Sequence, residues 1–275
     1  MLASAKGTAM ARLTVKELLD TRGQRRLTQV FVRTPREAAA CEAAGIEMLV
    51  AAESQEGRIS DLAGIRAAAP GAFITFGLPL GGLADDAEIL RESYRLLDFG
   101  ADAIYCPFGF RAVEAMANRF IPTVGHVGLV PYLSSWFGGF RAVGKTASTA
   151  LEVWERTRRY EEAGAMAVEM EVVPKEVAAA ICERTKMLVI GMGSGQACHV
   201  QYLFATDVLG DNEGHIPRHA KQYRDFKSEY ARLHRESIEA FRELRSDVQS
   251  GTYPAPNNDL TIAPDEFERF LEALG

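Results

Sequence analysis

The chain is expected to fold as an α/β protein, a (β/α)8 TIM barrel with added terminal helices, on three observations. Short β-rich runs alternate with amphipathic helical stretches, eight such runs can be counted, and several helices end on glycine just before the next run. Ala44-Gly45, Phe99-Gly100 and Ala163-Gly164 put glycine where a left-handed C-cap is wanted. That helix–glycine–strand cadence argues for parallel β/α units. A doubly wound open sheet is the alternative architecture.

In order, the expected strands are Thr28–Val32, Met48–Ala51, Phe73–Gly77, Ala103–Tyr105, Thr123–His126, Ala167–Glu171, Leu188–Gly191 and Gln201–Asp207. The third ends in Phe76-Gly-Leu-Pro79, where proline stops the strand at the C-terminal rim. Helical patterns lie between them at Glu37–Ala44, Asp85–Phe99, Arg111–Asn118, Ala147–Ala163 and Lys175–Thr185. In Asp85–Phe99, residues Ile89, Leu90, Tyr94 and Leu97 share one face. The connection Val127–Thr146 has no periodic pattern and is rich in glycine and aromatics, including Tyr132, Trp136, Phe137 and Phe140. A loop this long in a compact barrel reads as a lid or a subunit contact. Asp225–Val248 is a strong helix and Asp265–Leu274 a short last one. The expected organisation is a leading segment over 1–24, the barrel over 25–224, and C-terminal helices over 225–275 that pack on the barrel or on a neighbouring subunit.

The composition is that of an ordinary globular protein, with 47% hydrophobic and 25% charged residues in 275. No apolar run approaches the roughly 18–20 residues of a membrane span, and the N-terminus lacks the apolar core of a secretory signal. A formal charge of −6 argues against nucleic acid as a partner. The cluster Arg22, Arg25, Arg26 reads as a solvated segment before the first strand. The four cysteines, Cys41, Cys106, Cys182 and Cys198, have neither zinc nor disulfide spacing. They read as free thiols of a cytoplasmic protein, with Cys106 notable for its place at a strand end.

In a barrel the chemistry sits at the C-terminal ends of the strands. That rule singles out Glu53, Ser54, Gly77, Tyr105, His126, Glu171 and Gly193–Gly195. Glu171 closes a strand before Val172-Val173-Pro174, and a carboxylate there can serve as a general base; its structural alternative is a salt-bridged glutamate. Glu169 shares its face of the strand and would need a partner in the interior. His126, in Gly125-His-Val-Gly128, is either a loop-organising residue or a substrate contact. Ile190-Gly-Met-Gly-Ser-Gly195 has the spacing of neither a dinucleotide fingerprint nor a P-loop. Its glycines are expected to turn the backbone close to a ligand.

Taken together, Ile121-Pro-Thr-Val-Gly-His126-Val-Gly-Leu-Val-Pro131, Phe137-Gly-Gly-Phe140, Val168-Glu-Met-Glu171-Val-Val-Pro174, Ile190-Gly-Met-Gly-Ser-Gly195 and Gly214-His-Ile-Pro217 resemble ketopantoate hydroxymethyltransferase. This family belongs to the phosphoenolpyruvate mutase/isocitrate lyase group of barrels, and the likeness runs from about Arg25 to Pro254. It implies proton abstraction by Glu171 and transfer of a one-carbon unit from methylenetetrahydrofolate onto 3-methyl-2-oxobutanoate, a step of pantothenate biosynthesis. It also implies a divalent metal (magnesium, zinc or cobalt), a homo-oligomeric ring, and a structural role for His215. Substrate contacts would fall to Ser54, Gly77, Tyr105 and His126.

The sequence departs from the family at the metal-binding rim. An Asp-Ser pair after strand two becomes Ala51-Ala-Glu-Ser54, so that Glu53 is the candidate ligand only with a one-residue shift. Asp-Leu-Pro after strand three becomes Gly77-Leu-Pro79, and Lys-x-Glu after strand four becomes Tyr105-Cys-Pro107. A hard cation wants oxygen ligands, usually carboxylates, so the metal is expected to be weakened, relocated toward Glu53, Glu56, Asp85 and Asp86, or absent. Three readings stay open: the named transfer, a related aldolase, lyase or transferase acting on another oxo acid or aldol product, and a non-catalytic paralogue.

Overall fold

In the computed structural model, the β-rich runs become parallel strands because each is covered on both sides. One face turns to the barrel interior and the other to a surrounding layer of helices. The structure describes residues 12–55, 58–79, 83–212, 214 and 216–275. The chain divides into two units, Met1–Tyr223 and Arg224–Gly275.

The first unit opens with α1 (Val15–Asp20), β1 (Leu27–Phe31), α2 (Pro35–Ala43) and β2 (Met48–Ala52). A two-stranded hairpin of β3 (Ser54–Gln55) and β4 (Arg58–Ile59) follows, then α3 (Leu62–Ala68), β5 (Phe73–Gly77), α4 (Asp86–Asp98), β6 (Ala103–Tyr105) and α5 (Phe110–Ala117). Next come β7 (Thr123–Gly128), a 3-10 turn over Pro131–Phe137, α6 (Ala147–Glu162), β8 (Ala167–Glu171), α7 (Lys175–Cys182), β9 (Leu188–Met192), β10 (Val200–Phe204) and α8 (Ala205–Leu209). Among the described residues, eight strands close in the order β1-β10-β9-β8-β7-β6-β5-β2. Every pair in the closed barrel is parallel. The fold class expected from the sequence is the one observed.

The period-two alternation of each strand sorts its side chains. Leu27, Met48, Phe73, Val124, Ala167, Leu188 and Val200 pack together inside the barrel. Ile74, Ile104, Val127, Val168 and Val189 face outward against Ile65, Leu96, Met116, Val153 and Ile181 of the helices. Each such aliphatic side chain contributes about 1.5–3 kcal/mol on burial. Helix starts are fixed locally. Asp85 Oδ1 accepts from Glu88 N at 2.8 Å to begin α4, and the Thr146 side chain accepts from Thr149 N to begin α6.

The structure differs from the sequence reading at three places. The last barrel strand stops at Phe204 rather than Asp207, because Ala205–Leu209 turns into α8 and the Asp207 carboxylate accepts from Asn212 Nδ2 at 2.8 Å. The β3–β4 hairpin and α3 occupy a stretch with no clear periodicity. The aromatic connection is partly ordered as the 3-10 turn. In the second unit, α9 (Phe226–Ser250) is capped by Asp225, whose Oδ1 accepts from Ser228 N at 3.1 Å, and it ends on Gly251; α10 (Pro264–Leu274) follows. No described helix is long and apolar enough to cross a membrane.

Candidate active site

A cavity of about 170 Å³ opens at the C-terminal rim of the barrel. Phe31, Val50, Ala52, Met192 and Phe204 form much of its apolar wall, and Tyr105, His126, Glu169, Glu171 and Tyr202 supply its polar groups. Pro131 and Tyr132 of the 3-10 turn also line it, so the aromatic connection reaches the site.

Glu171 and His126 meet because β7 and β8 pair in register, His126 with Glu169 and Gly128 with Glu171. His126 is 3% exposed and Glu171 8%. His126 Nε2 lies 3.3 Å from Glu171 Oε2, close but outside hydrogen-bond alignment. On the other side of the ring, Tyr105 Oη is 2.6 Å from Nδ1. Burial, and then the charge of Glu169, push the Tyr105 phenol well above its ordinary value, so it keeps its proton. In the tautomer with the imidazole proton on Nε2, facing Glu171, the hydroxyl donates to Nδ1; in the other, Nδ1–H donates to the phenol oxygen. Tyrosine, histidine and glutamate lie side by side along the rim.

The backbone beneath Glu171 is held tightly. Val172 follows at φ 50°, a left-handed conformation that a β-branched residue rarely adopts and that costs about 1–3 kcal/mol. Ser194 clamps this turn: its Oγ donates to Met170 O at 2.8 Å and accepts from Val173 N at 3.0 Å. Leu129 N donates to Glu171 O at 2.8 Å. Gly128 permits that approach, since a Cβ on it would stand 2.3 Å from Glu171 O. The Gly193-Ser194-Gly195 turn, at φ 69° and 87° on its glycines, thus supports the turn that follows Glu171.

Glu169 sits two residues below Glu171 on the same interior face, 5% exposed. Burial raises its carboxyl to about 7, with His126 opposing and Glu171 reinforcing the rise. Tyr202, opposite, is held far above the ordinary phenol value by burial and by both glutamates.

Of the residues singled out in the sequence, Gly77, Tyr105, His126 and Glu171 come together on the cavity. Glu53 does not join them. Its carboxylate pairs with Arg95 Nη2 at 2.6 Å and is absent from the described lining, so the expected ligand is committed elsewhere. Ser54 lies in β3, while its side chain, Glu56 and His215 lie outside the described residues. Cys106 is buried behind β6, and burial pushes its thiol up to about 12. Tyr202, Phe31, Phe204 and Tyr132 line the site without having been singled out. Tyr202 and Phe204 were legible only as part of a strand, and Ser194 only as part of a glycine turn.

A divalent cation does not fit this donor set. Ala52 and Gly77 are cross-strand neighbours that offer no oxygen ligand from their side chains, and Pro107 has none. Among the described residues, no group of three or more His, Cys, Asp or Glu side chains is placed to share an ion.

The model of one family, described as ketopantoate hydroxymethyltransferase, matches residues 12–256. The chain is 27% identical over 265 residues to a 3-methyl-2-oxobutanoate hydroxymethyltransferase of Kosmotoga olearia, covering 90% of this chain and 97% of the relative. It is 30% identical over 278 residues to the protein of that name from Syntrophobacter fumaroxidans, covering 94% and 96%. Among solved structures, 2,3-dimethylmalate lyase, a PEP mutase/isocitrate lyase superfamily member, is similar with a TM-score of 0.51 at 13% identity over 95% of this chain and 96% of that one. Phosphonopyruvate hydrolase, solved with oxalate and Mg++, has a TM-score of 0.50 at 14% identity over 95% and 99%. These two likenesses are of fold.

Proposed function

The chain belongs to the ketopantoate hydroxymethyltransferase family, and we propose that it makes or breaks a carbon–carbon bond beside the carbonyl of a 2-oxo acid through an enolate. The observation that carries this reading is Glu171 at the barrel rim, buried against His126 and held by a strained, doubly hydrogen-bonded turn. A base in this position removes the proton from the carbon next to the carbonyl, and the C–H electron pair becomes the enolate. Water adds to the methylene of methylenetetrahydrofolate and tetrahydrofolate leaves, which frees formaldehyde. The enolate carbon attacks that formaldehyde, a new C–C bond forms, and the former carbonyl oxygen of the formaldehyde takes the proton held on Glu171 to give the hydroxymethyl product. Run backwards, the same steps are a retro-aldol cleavage.

The residues divide this work. Glu171 holds and returns the proton. His126, held by the Tyr105 contact and carrying its proton on Nε2 in this mechanism, orients the carboxylate and offers an N–H to the substrate as the contact loosens. Gly77 leaves room at the rim, and Ser54 is retained as a substrate contact. The branched aliphatic end of 3-methyl-2-oxobutanoate suits the wall of Val50, Ala52, Leu78 and Met192. The changed rim favours one second reading, the same enolate chemistry on another oxo acid.

The setting of this reading is a cytoplasmic homo-oligomer in pantothenate biosynthesis, with methylenetetrahydrofolate as the one-carbon donor. Light scattering that gave a monomer at micromolar concentration would remove the assembly. The test of function is addition of formaldehyde or methylenetetrahydrofolate to 3-methyl-2-oxobutanoate, with and without divalent metal. Turnover lost in Glu171→Gln is the expected result; a folded protein with no turnover on this or other 2-oxo acids refutes it.

A further inference from the structure

Glu169 is the second carboxyl of the cavity, and a single base leaves it no task. It stands one pleat below Glu171 on β8, and both side chains point inward. The groups that face it are His126 from β7, Glu171 above it, Gln29 from β1, Tyr105 from β6 and Tyr202 from β10. The Gln29 side chain is close enough to favour the charged carboxylate, yet both its amide atoms are buried outside hydrogen-bond geometry. No lysine or arginine is among the described lining residues. An ionised carboxylate here would be a buried charge next to a second one, which is costly unless a cation compensates it. A carboxylic acid avoids that cost and brings an O–H into a pocket whose metal-clamp positions supply no cation.

We propose that Glu169 works as a neutral carboxylic acid whose O–H holds the anionic oxygen of the bound 2-oxo acid and of its enolate, in place of a metal ion. The inference rests on the 2-oxo acid reading of this pocket. Its proton stays on Glu169 throughout, while the proton that moves in the reaction is the one Glu171 takes from carbon. Two carboxyls on one strand thereby hold opposite states, the upper one as base and the lower one as donor. Burial already holds the Glu169 proton to about 7, and an anion seated on the O–H holds it further.

The experiment follows the Glu169 proton by infrared difference spectroscopy of wild type against Glu169→Gln, and ligand binding by calorimetry with 3-methyl-2-oxobutanoate. A protonated-carboxyl band is expected at about pH 6, shifting to persist at higher pH when the acid binds. Wild-type Kd should be level at low pH and weaken about tenfold per pH unit above the carboxyl's titration. Glu169→Gln keeps a neutral N–H donor, so its Kd should be flat with pH and within a few-fold of the low-pH wild-type value. Glu169→Val, with no donor, should bind weakly throughout. A Glu169 ionised at about pH 6, a pH-flat wild-type Kd, or no binding at all overturns the proposal. Proton-linked binding without hydroxymethyl transfer overturns the functional reading alone and leaves the donor in place.

Discussion

Gly128→Ala should damage both the barrel and the seating of Glu171, and the size of the effect can be worked from the contact it would make. Its Cβ would lie 2.3 Å from Glu171 O, where real Cβ contacts essentially never fall below 3.0 Å, so the β7–β8 ends must part by about 0.7 Å (3.0 − 2.3). That movement strains the 2.8 Å bond from Leu129 N to Glu171 O, whose loss in a buried site costs about 1–3 kcal/mol. The φ of 84° adds about 1–2 kcal/mol for a residue with a Cβ. Relief of unfolded-chain entropy returns about 0.4–1 kcal/mol. The net loss is about 1–5 kcal/mol, centred near 3. Gly23→Ala is the control: its φ is 73°, and a Cβ added there would meet nothing within 4 Å, so it should lose only about 1 kcal/mol or less. Urea denaturation of the two variants separates the contact from the dihedral. Equal midpoints would refute the argument that Gly128 is needed for the approach to Glu171.

Glu171→Gln should fold as wild type and lose about 100-fold or more in kcat, read by circular dichroism and the transfer assay. Ser194→Ala removes both clamps on the Val172 turn and should cost about 2 kcal/mol in urea unfolding while lowering kcat; an unchanged kcat would show that the turn does not position the base. Restoring carboxylates at the neighbouring Ala52 and Gly77 by Ala52→Asp with Gly77→Asp should create magnesium-dependent thermal stabilisation that the wild type lacks, read by calorimetry. His199 is held neutral, its value lowered to about 4 chiefly by burial and also by Arg22, and its Nδ1 accepts from Val189 N at 2.9 Å. A folded value below the unfolded one near 6.5 means the stability it contributes is full above that pH and is lost as pH falls toward 4; His199→Gln should flatten that limb of the stability–pH curve.

Much of the barrel was legible because its signals are local. Proline after Gly77 and glycine after three helices mark ends that chain sterics enforce, and Phe73–Gly77, Ala103–Tyr105 and Ala167–Glu171 formed with the boundaries read from sequence. The failures lie where tertiary context overrides local preference. Ala205–Leu209 continues an apolar run, yet it winds into a helix whose Asp207 finds Asn212. Leu62–Ala68 is short and alanine-rich, and its identity comes from the Asp61 cap and from burying Leu62 and Ile65 rather than from a long amphipathic pattern.

The site was legible in proportion to how directly a strand end delivers it. Glu171, His126, Tyr105 and Gly77 each close a strand or nearly so, and parallel register alone brings them to one rim. Glu53 is also at a strand end, but it is one residue past Ala52, and that offset with Arg95 nearby sends its carboxylate to an ion pair instead. The support for Glu171 comes from strands other than those that carry Ala52 and Gly77: Gly128 on β7 and Ser194 after β9. In the proposed mechanism Glu171, which moves the proton, stands apart from the groups that hold the substrate, and Glu169 takes the oxygen as a neutral donor, so that enolate chemistry survives loss of the metal clamp.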